Sequence, residues 1–208
     1  MQRTVEWLNR YLKGSAEPTG PTLEWVDQRG RHLGTETYPA PVTAPLLAAL
    51  DGGRVLPLVP FVGGSGPMFL VPPVGGTKAF NAVNLTTPVA ATTTYIAGEP
   101  TLTLSYSGTG TGDHVYAQLL DDTTGLVIGN QVTPIPVTLD GRPHTISVPL
   151  EMIAHTLNPG ETLTVQLLAW SAAHAASWSL GTLTVNDMRI TLPTTPDPID
   201  IPHPLGVG

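Results

Sequence analysis

Ser65 lies among glycines, in Gly63-Gly64-Ser65-Gly66-Pro67, and is the hydroxyl with the best claim to nucleophilic chemistry. The claim fails on spacing. A nucleophile elbow, G-x-S-x-G, needs its second glycine two residues after the serine, with a strand before and a helix after, and Gly66-Pro67 blocks helix formation. The segment reads as a turn. Six histidines stand at 32, 114, 144, 155, 174 and 203, with no H-E-x-x-H and no i, i+4 pair on a helix, so no metal site is predicted. His114 lies on the outer face of a strand beside a loop, and His144 follows a proline where a strand begins; both are structural settings. His155 and His174 fall near the end of a sandwich, where a ligand could meet either. Asp121-Asp122 lacks the further acidic or amide spacing of a calcium loop and reads as Asx hydrogen bonding in a turn. Trp170 and Trp178 bracket a loop holding His174. Two indoles there could stack on a sugar, but core packing or contact with another domain is the commoner use of such residues. No catalytic, cofactor-binding or metal-binding residue is assigned, and no cofactor is implied.

Composition narrows the classes. The formal charge is −7, from 9 basic and 16 acidic residues, with Lys13 and Lys78 the only lysines, which argues against a nucleic-acid groove. The absence of cysteine excludes disulfides, thiolate catalysis and cysteine-based zinc sites. No apolar run approaches 18 residues, so no membrane span is predicted. The first residues lack the basic start, apolar centre and cleavage site of a signal peptide, and the chain as it stands is expected in the cytoplasm. Gly and Pro number 22 each, a composition suited to many turns.

The elements that must position any site are mostly strands. Residues 4–13 predict a helix, with Val5, Leu8 and Leu12 on one stripe, Trp7 and Tyr11 on a flanking one, and Gly14 as its cap. So short and apolar a helix must pack on something. From Ser15 to Gly76 prolines and glycines recur every few residues, which predicts an extended connector with short edge strands at Leu23–Val26, Val55–Val62 and Met68–Val71. Val42–Leu50 reads as one or two helical turns. From Phe80 strands follow one another at the spacing of an all-β sandwich. Thr101–Tyr106 and His114–Leu119 alternate strictly, with Leu102, Leu104 and Tyr106 inward on one and Val115, Ala117 and Leu119 inward on the other. The Gly-Thr stretch between them predicts a hairpin, in which His114, Tyr116 and Gln118 face outward. Asp121–Gly125 predicts a turn, Asp140-Gly141 a second hairpin, and Glu151–Leu157 a helical turn across the sandwich end. Parity changes between Val185 and Met188, so a bulge is expected near Asn186-Asp187. The proline-rich tail from Thr194 reads as a loose or surface-laid end. The division is therefore a terminal helix over 1–14, a connector over 15–76, a sandwich over 77–194 and a tail over 195–208.

In sequence order these pieces resemble the C-terminal region of the cocaine-esterase-like serine hydrolases related to X-prolyl dipeptidyl peptidases. Trp7-Leu8-Asn9-Arg10-Tyr11-Leu12-Lys13-Gly14 resembles the W-L-x-R-Y-x-K-G helix that closes the family's α/β-hydrolase domain. Thr19-Gly20-Pro21 with Glu24-Trp25-Val26-Asp27-Gln28 resembles the strand leading out of it. Gly98-Glu99-Pro100-Thr101-Leu102-Thr103-Leu104 is similar to the G-x-P-x-L-x-L strand of the C-terminal jelly roll, and Val115–Asp121 and Pro159–Leu163 follow in order.

The resemblance implies a jelly-roll (galactose-binding-like) β-sandwich carrying the last helix of an α/β-hydrolase domain. It implies a parent enzyme that cleaves esters, or peptides after proline, with a Ser-His-Asp triad. No position here matches a triad residue, so the chain is expected to be non-catalytic on its own. A packing partner is implied for Val5, Trp7, Leu8, Tyr11 and Leu12: the hydrolase domain, or a second copy of the chain. The rival reading is a free-standing β-sandwich module that binds carbohydrate or protein, with Trp170, His174 and Trp178 as its contact residues. The export signal of a parent enzyme would lie upstream.

Overall fold

The computed structural model describes residues 2–16, 19–60, 62, 76–171, 173–174 and 178–202. Ser65, the Met68–Val71 run and His203 lie outside them. Along the described chain run α1 (Gln2–Lys13), β1 (Leu23–Val26), β2 (His32–Thr35), β3 (Leu46–Leu58), β4 (Ala82–Thr86), β5 (Thr94–Gly98), β6 (Thr101–Gly110) and β7 (His114–Asp121). Then follow β8 (Leu126–Pro136), β9 (His144–Pro149), β10 (Ile153–Leu157), β11 (Leu163–Leu168), β12 (Gly181–Leu192), β13 (Thr194–Thr195) and β14 (Ile199–Asp200). Two four-stranded antiparallel sheets, ordered β3-β12-β6-β9 and β4-β11-β7-β8, form a jelly-roll sandwich. Two three-stranded sheets, β10-β5-β13 and β1-β2-β14, accompany it.

The period-two runs supply the core. Leu102, Leu104 and Tyr106 from β6 meet Val115, Ala117 and Leu119 from β7 in one buried cluster, with Leu163, Val165 and Leu167 from β11 and Leu183, Val185, Met188 and Ile190 from β12. Pro57 falls in β3 and Pro134 and Pro136 in β8, both edge strands, where a missing N–H breaks no ladder. The β12 ladder shifts register between Val185 and Asp187, and this bulge restores Met188 and Ile190 to the inner face.

Several expectations are corrected. β6 and β7 do not form a hairpin: β6 lies between β12 and β9, and β7 lies in the opposite sheet between β11 and β8. Their two apolar faces meet across the core, which alternation permits equally well. Asp140-Gly141 likewise joins strands of different sheets, β8 to β9, with the Arg142 amide donating to Asp140 Oδ1. Val42–Leu50 is not helical; it leads into β3, a thirteen-residue strand paired with β12 from Leu46↔Leu192 to Leu58↔Gly181. The segment read as connector thus supplies a full edge of the sandwich. Glu151–Leu157 is also extended, with β10 paired to β5.

The outer face of β7 is covered, not solvated. Ala79, Tyr116 and Leu168 pack there as a second apolar cluster, and Gln118 is buried beneath residues 77–79. Nor is the described tail loose: β13 pairs with β5, β14 with β2, and Thr194 and Thr195 are buried. No helix among the described residues is long and apolar enough to cross a membrane.

Candidate functional site

The β1–β2 hairpin is the element whose placement matters most, because its Asp27-Gln28-Arg29-Gly30-Arg31 turn grips the sandwich. Gly30 takes a positive φ of 75°, and the Gly30 amide donates to Asp27 O. The turn points its side chains at β10. Asp27 is buried and accepts from the amides of Arg29 (2.9 Å) and Arg31 (3.0 Å), from Arg31 Nε (2.9 Å) and from the Thr156 hydroxyl (2.9 Å). Burial alone would raise its pKa; these hydrogen bonds outweigh burial and hold the carboxyl below its ordinary value. Gln28 clamps the backbone of Thr156 at both ends, and Arg29 donates to Thr156 O and to both oxygens of Glu161. Glu161, which also accepts from the Asn158 amide, is held below the usual carboxylate range, first by that amide and then by Arg29. Arg31 lies 5.9 Å over the Tyr95 ring.

So held, the hairpin forms one wall of an apolar groove of about 520 Å³. Leu23 and Trp25 come from β1, Tyr38 and Val42 from the segment after β2, and Met152 from the residues before β10; Glu99 lies at the β5–β6 turn. The Tyr38-Pro39 bond is cis. Tyr38, Val42 and Met152 are more than half exposed, as is Val26 on the hairpin. A groove of this size and lining suits apolar or aromatic groups.

Helix α1 presents a second apolar surface. Gly14, with φ of 69°, donates its amide to Arg10 O and ends the helix as a left-handed cap. The Trp7 and Tyr11 rings meet in a tilted pair at 4.9 Å, yet Val5, Trp7, Leu8, Tyr11 and Leu12 remain 40–75% exposed. The sandwich does not cover this stripe.

The other candidate residues are dispersed. Trp170 is buried, 7% exposed, while Trp178 is 74% exposed, so the two do not offer a shared stacking surface. His174 stacks on Tyr116 at 5.0 Å and its Nε2 lies 3.0 Å from Val132 O, which ties it to the cover over β7. His155 is buried beside Gln28. His144 stacks on Tyr106 and bonds Asp140, and His114 bonds Asp113. Asp121 accepts from the Thr123 amide as an Asx turn, and Asp122 accepts from the hydroxyls of Thr162 and Thr164. Among the described residues no three His, Asp or Glu side chains gather in a group that could hold a metal ion.

The grip of Asp27, Gln28 and Arg29 on β10 was not found from the sequence. Its one local signal is the Asp-x-Arg-Gly-Arg turn, whose partners Thr156 and Glu161 are far away along the chain.

No protein-family profile matches the sequence, and no curated protein matches it. Solved structures do share its fold. A CocE/NonD family hydrolase from Staphylococcus aureus superposes with a TM-score of 0.64 at 12% identity, over 94% of this chain and 45% of that one. An aminopeptidase from a marine sediment archaeon, Thaumarchaeota archaeon, gives 0.66 at 12% identity over 93% and 43%. An alpha-amino acid ester hydrolase gives 0.60 at 14% identity over 91% and 44%. The chain thus spans less than half the length of each of these structures.

Proposed function

We propose that the chain is the non-catalytic C-terminal portion of a serine hydrolase of the CocE/NonD kind, and that its work is to pack on an α/β-hydrolase domain. One observation carries this reading: nearly all of the chain superposes on hydrolases while spanning less than half of their length. The bare apolar stripe of α1 and the open groove beside the β1–β2 hairpin support it, since both are surfaces suited to burial. The parent reaction is acyl transfer to water from an ester or peptide, with cleavage after proline as the narrower form. The nucleophile, base and oxyanion hole of that reaction would reside in the other domain.

The test is enzymatic. Purified chain is incubated with aryl esters and with chromogenic Xaa-Pro peptides, and separately with a fluorophosphonate probe. No turnover above background and no covalent labelling is the expected result. Turnover that the fluorophosphonate abolishes would overturn the non-catalytic assignment. The DNA on the 5′ side of the Met1 codon tests the partner: a reading frame carrying G-x-S-x-G supports a hydrolase domain, whereas a promoter immediately upstream favours a free-standing module.

A further inference from the structure

His155 is the one histidine sealed inside the contact between the hairpin and the sandwich whose hydrogen-bonding role can be worked out atom by atom. The argument starts at Gln28. The Thr156 amide donates to Gln28 Oε1 at 3.0 Å, and Gln28 Nε2 donates to Thr156 O at 2.6 Å. Turning the amide over would set oxygen against oxygen and N–H against N–H, so its orientation is fixed. Gln28 Nε2 has one proton left, and His155 Nε2 lies 3.4 Å away. That ring nitrogen must accept, which places the imidazole proton on Nδ1. Nδ1 is itself buried and has no hydrogen-bond partner among the described residues. An imidazolium in this position would bring a second donor against the Gln28 N–H, and its Nδ1–H would still find no acceptor.

We propose that His155 is an acid-sensitive catch for the β1–β2 hairpin: uptake of one proton at Nε2 breaks the Gln28 clamp and frees the 27–31 turn from β10. The hairpin carries Leu23 and Trp25, so its release removes one wall of the apolar groove. The charged groups that act on the ring are Asp27 and Arg29 on the turn, Glu161 after β10, and Asp121 at the end of β7. Burial is the largest influence and pushes His155 below its ordinary value; Asp121, Glu161 and Asp27 pull the other way, and Arg29 reinforces burial. A histidine depressed in the folded state withdraws stability as pH falls from its unfolded value, about 6.5, toward the folded one. Asp27 and Glu161, also depressed, withdraw theirs only below about 4. In the interval between those values His155 takes up its proton while Asp27 and Glu161 stay ionised.

Hydrogen exchange read by mass spectrometry at pH 7.5 and pH 5, corrected for intrinsic rates, tests the catch in the unaltered chain. Exchange in residues 23–35 should rise about tenfold or more at pH 5, while β6 and β12 stay protected. His155→Gln should flatten that step. Nitrogen NMR of the unaltered chain at pH 7.5 should show His155 with its proton on Nδ1. A proton on Nε2, or a pH step of equal size in His155→Gln, would overturn the proposal. If His155→Gln does not fold, Gln28→Ala decides alongside the tautomer: the hairpin should exchange quickly at both pH values, and retention of the pH step would refute the catch.

Discussion

At Asp27 burial and hydrogen bonding oppose one another, and the carboxylate stays ionised because four donors converge on it. Asp27→Asn replaces one acceptor oxygen with an N–H that faces donors. We expect a loss of about 2–3 kcal/mol, read as a lower urea midpoint at pH 7, because hydrogen bonds to charged groups are worth about 1.5–3 kcal/mol each and some rearrange. The sign with pH follows from the depressed pKa. Asp27's contribution is fully present above its unfolded value, about 3.9, and is lost as pH falls through the folded one, so variant and parent should converge in acid. Gln166 works at the same scale beneath the cover over β7. It exchanges two hydrogen bonds with the Ala79 backbone and also binds Gln118 and Asn84. Gln166→Leu keeps the volume but strands the Ala79 amide and carbonyl in a dry site, and should cost about 1–3 kcal/mol.

Among the elements, β12 bears the most strain on its design, since it pairs on both sides and changes parity midway. Gly181 opens it at φ of 141°, and a β-carbon there would collide with the backbone of Thr109 and Gly110. Gly181→Ala should therefore destabilise by about 1–3 kcal/mol, measured by thermal or urea unfolding. Deleting Asn186 should be tolerated better, because Leu183, Val185, Met188, Ile190 and Leu192 then share one uninterrupted alternation on the inner face in regular register with β6, and a two-state urea unfolding transition should remain. The bulge was legible because inward residues change parity within a few positions. Which strand lies beside which was not legible. Leu102-Leu104-Tyr106 and Val115-Ala117-Leu119 state only that each strand has an apolar face, and two such faces can lie side by side or meet across a core. Gln118 and Tyr116 do lie on the outer face, and that this face is covered escaped for a related reason: the chain packed there, residues 76–81, is short and carries no periodic signal. The grip of the hairpin on β10 escaped because Asp27 and Thr156 are joined by folding alone, whereas α1 and its Gly14 cap are local and were readable in place.

For the molecule as a whole, the uncovered stripe of α1 governs behaviour in solution. Val5, Trp7, Leu8, Tyr11 and Leu12 would each gain roughly 1.5–3 kcal/mol on complete burial, less what their partial burial already supplies. We expect the full chain to self-associate at micromolar concentration in light scattering when no hydrolase domain is present. A chain shortened to begin at Ser15 should keep its β-sheet circular dichroism and become more monomeric; its unfolding, together with a monomeric full chain, would show that α1 steadies its own sandwich. The pairing of β3 with β12 has a consequence of a different kind, in time. Leu46 finds its neighbour in Leu192 and Leu58 in Gly181, so β3 leaves the ribosome long before the strand that must pair with it. That edge of the sheet cannot close early, and such distant pairings fold on the order of milliseconds to seconds. During synthesis Leu56 and Leu58, nearly inaccessible in the finished protein, wait in water for a partner not yet translated.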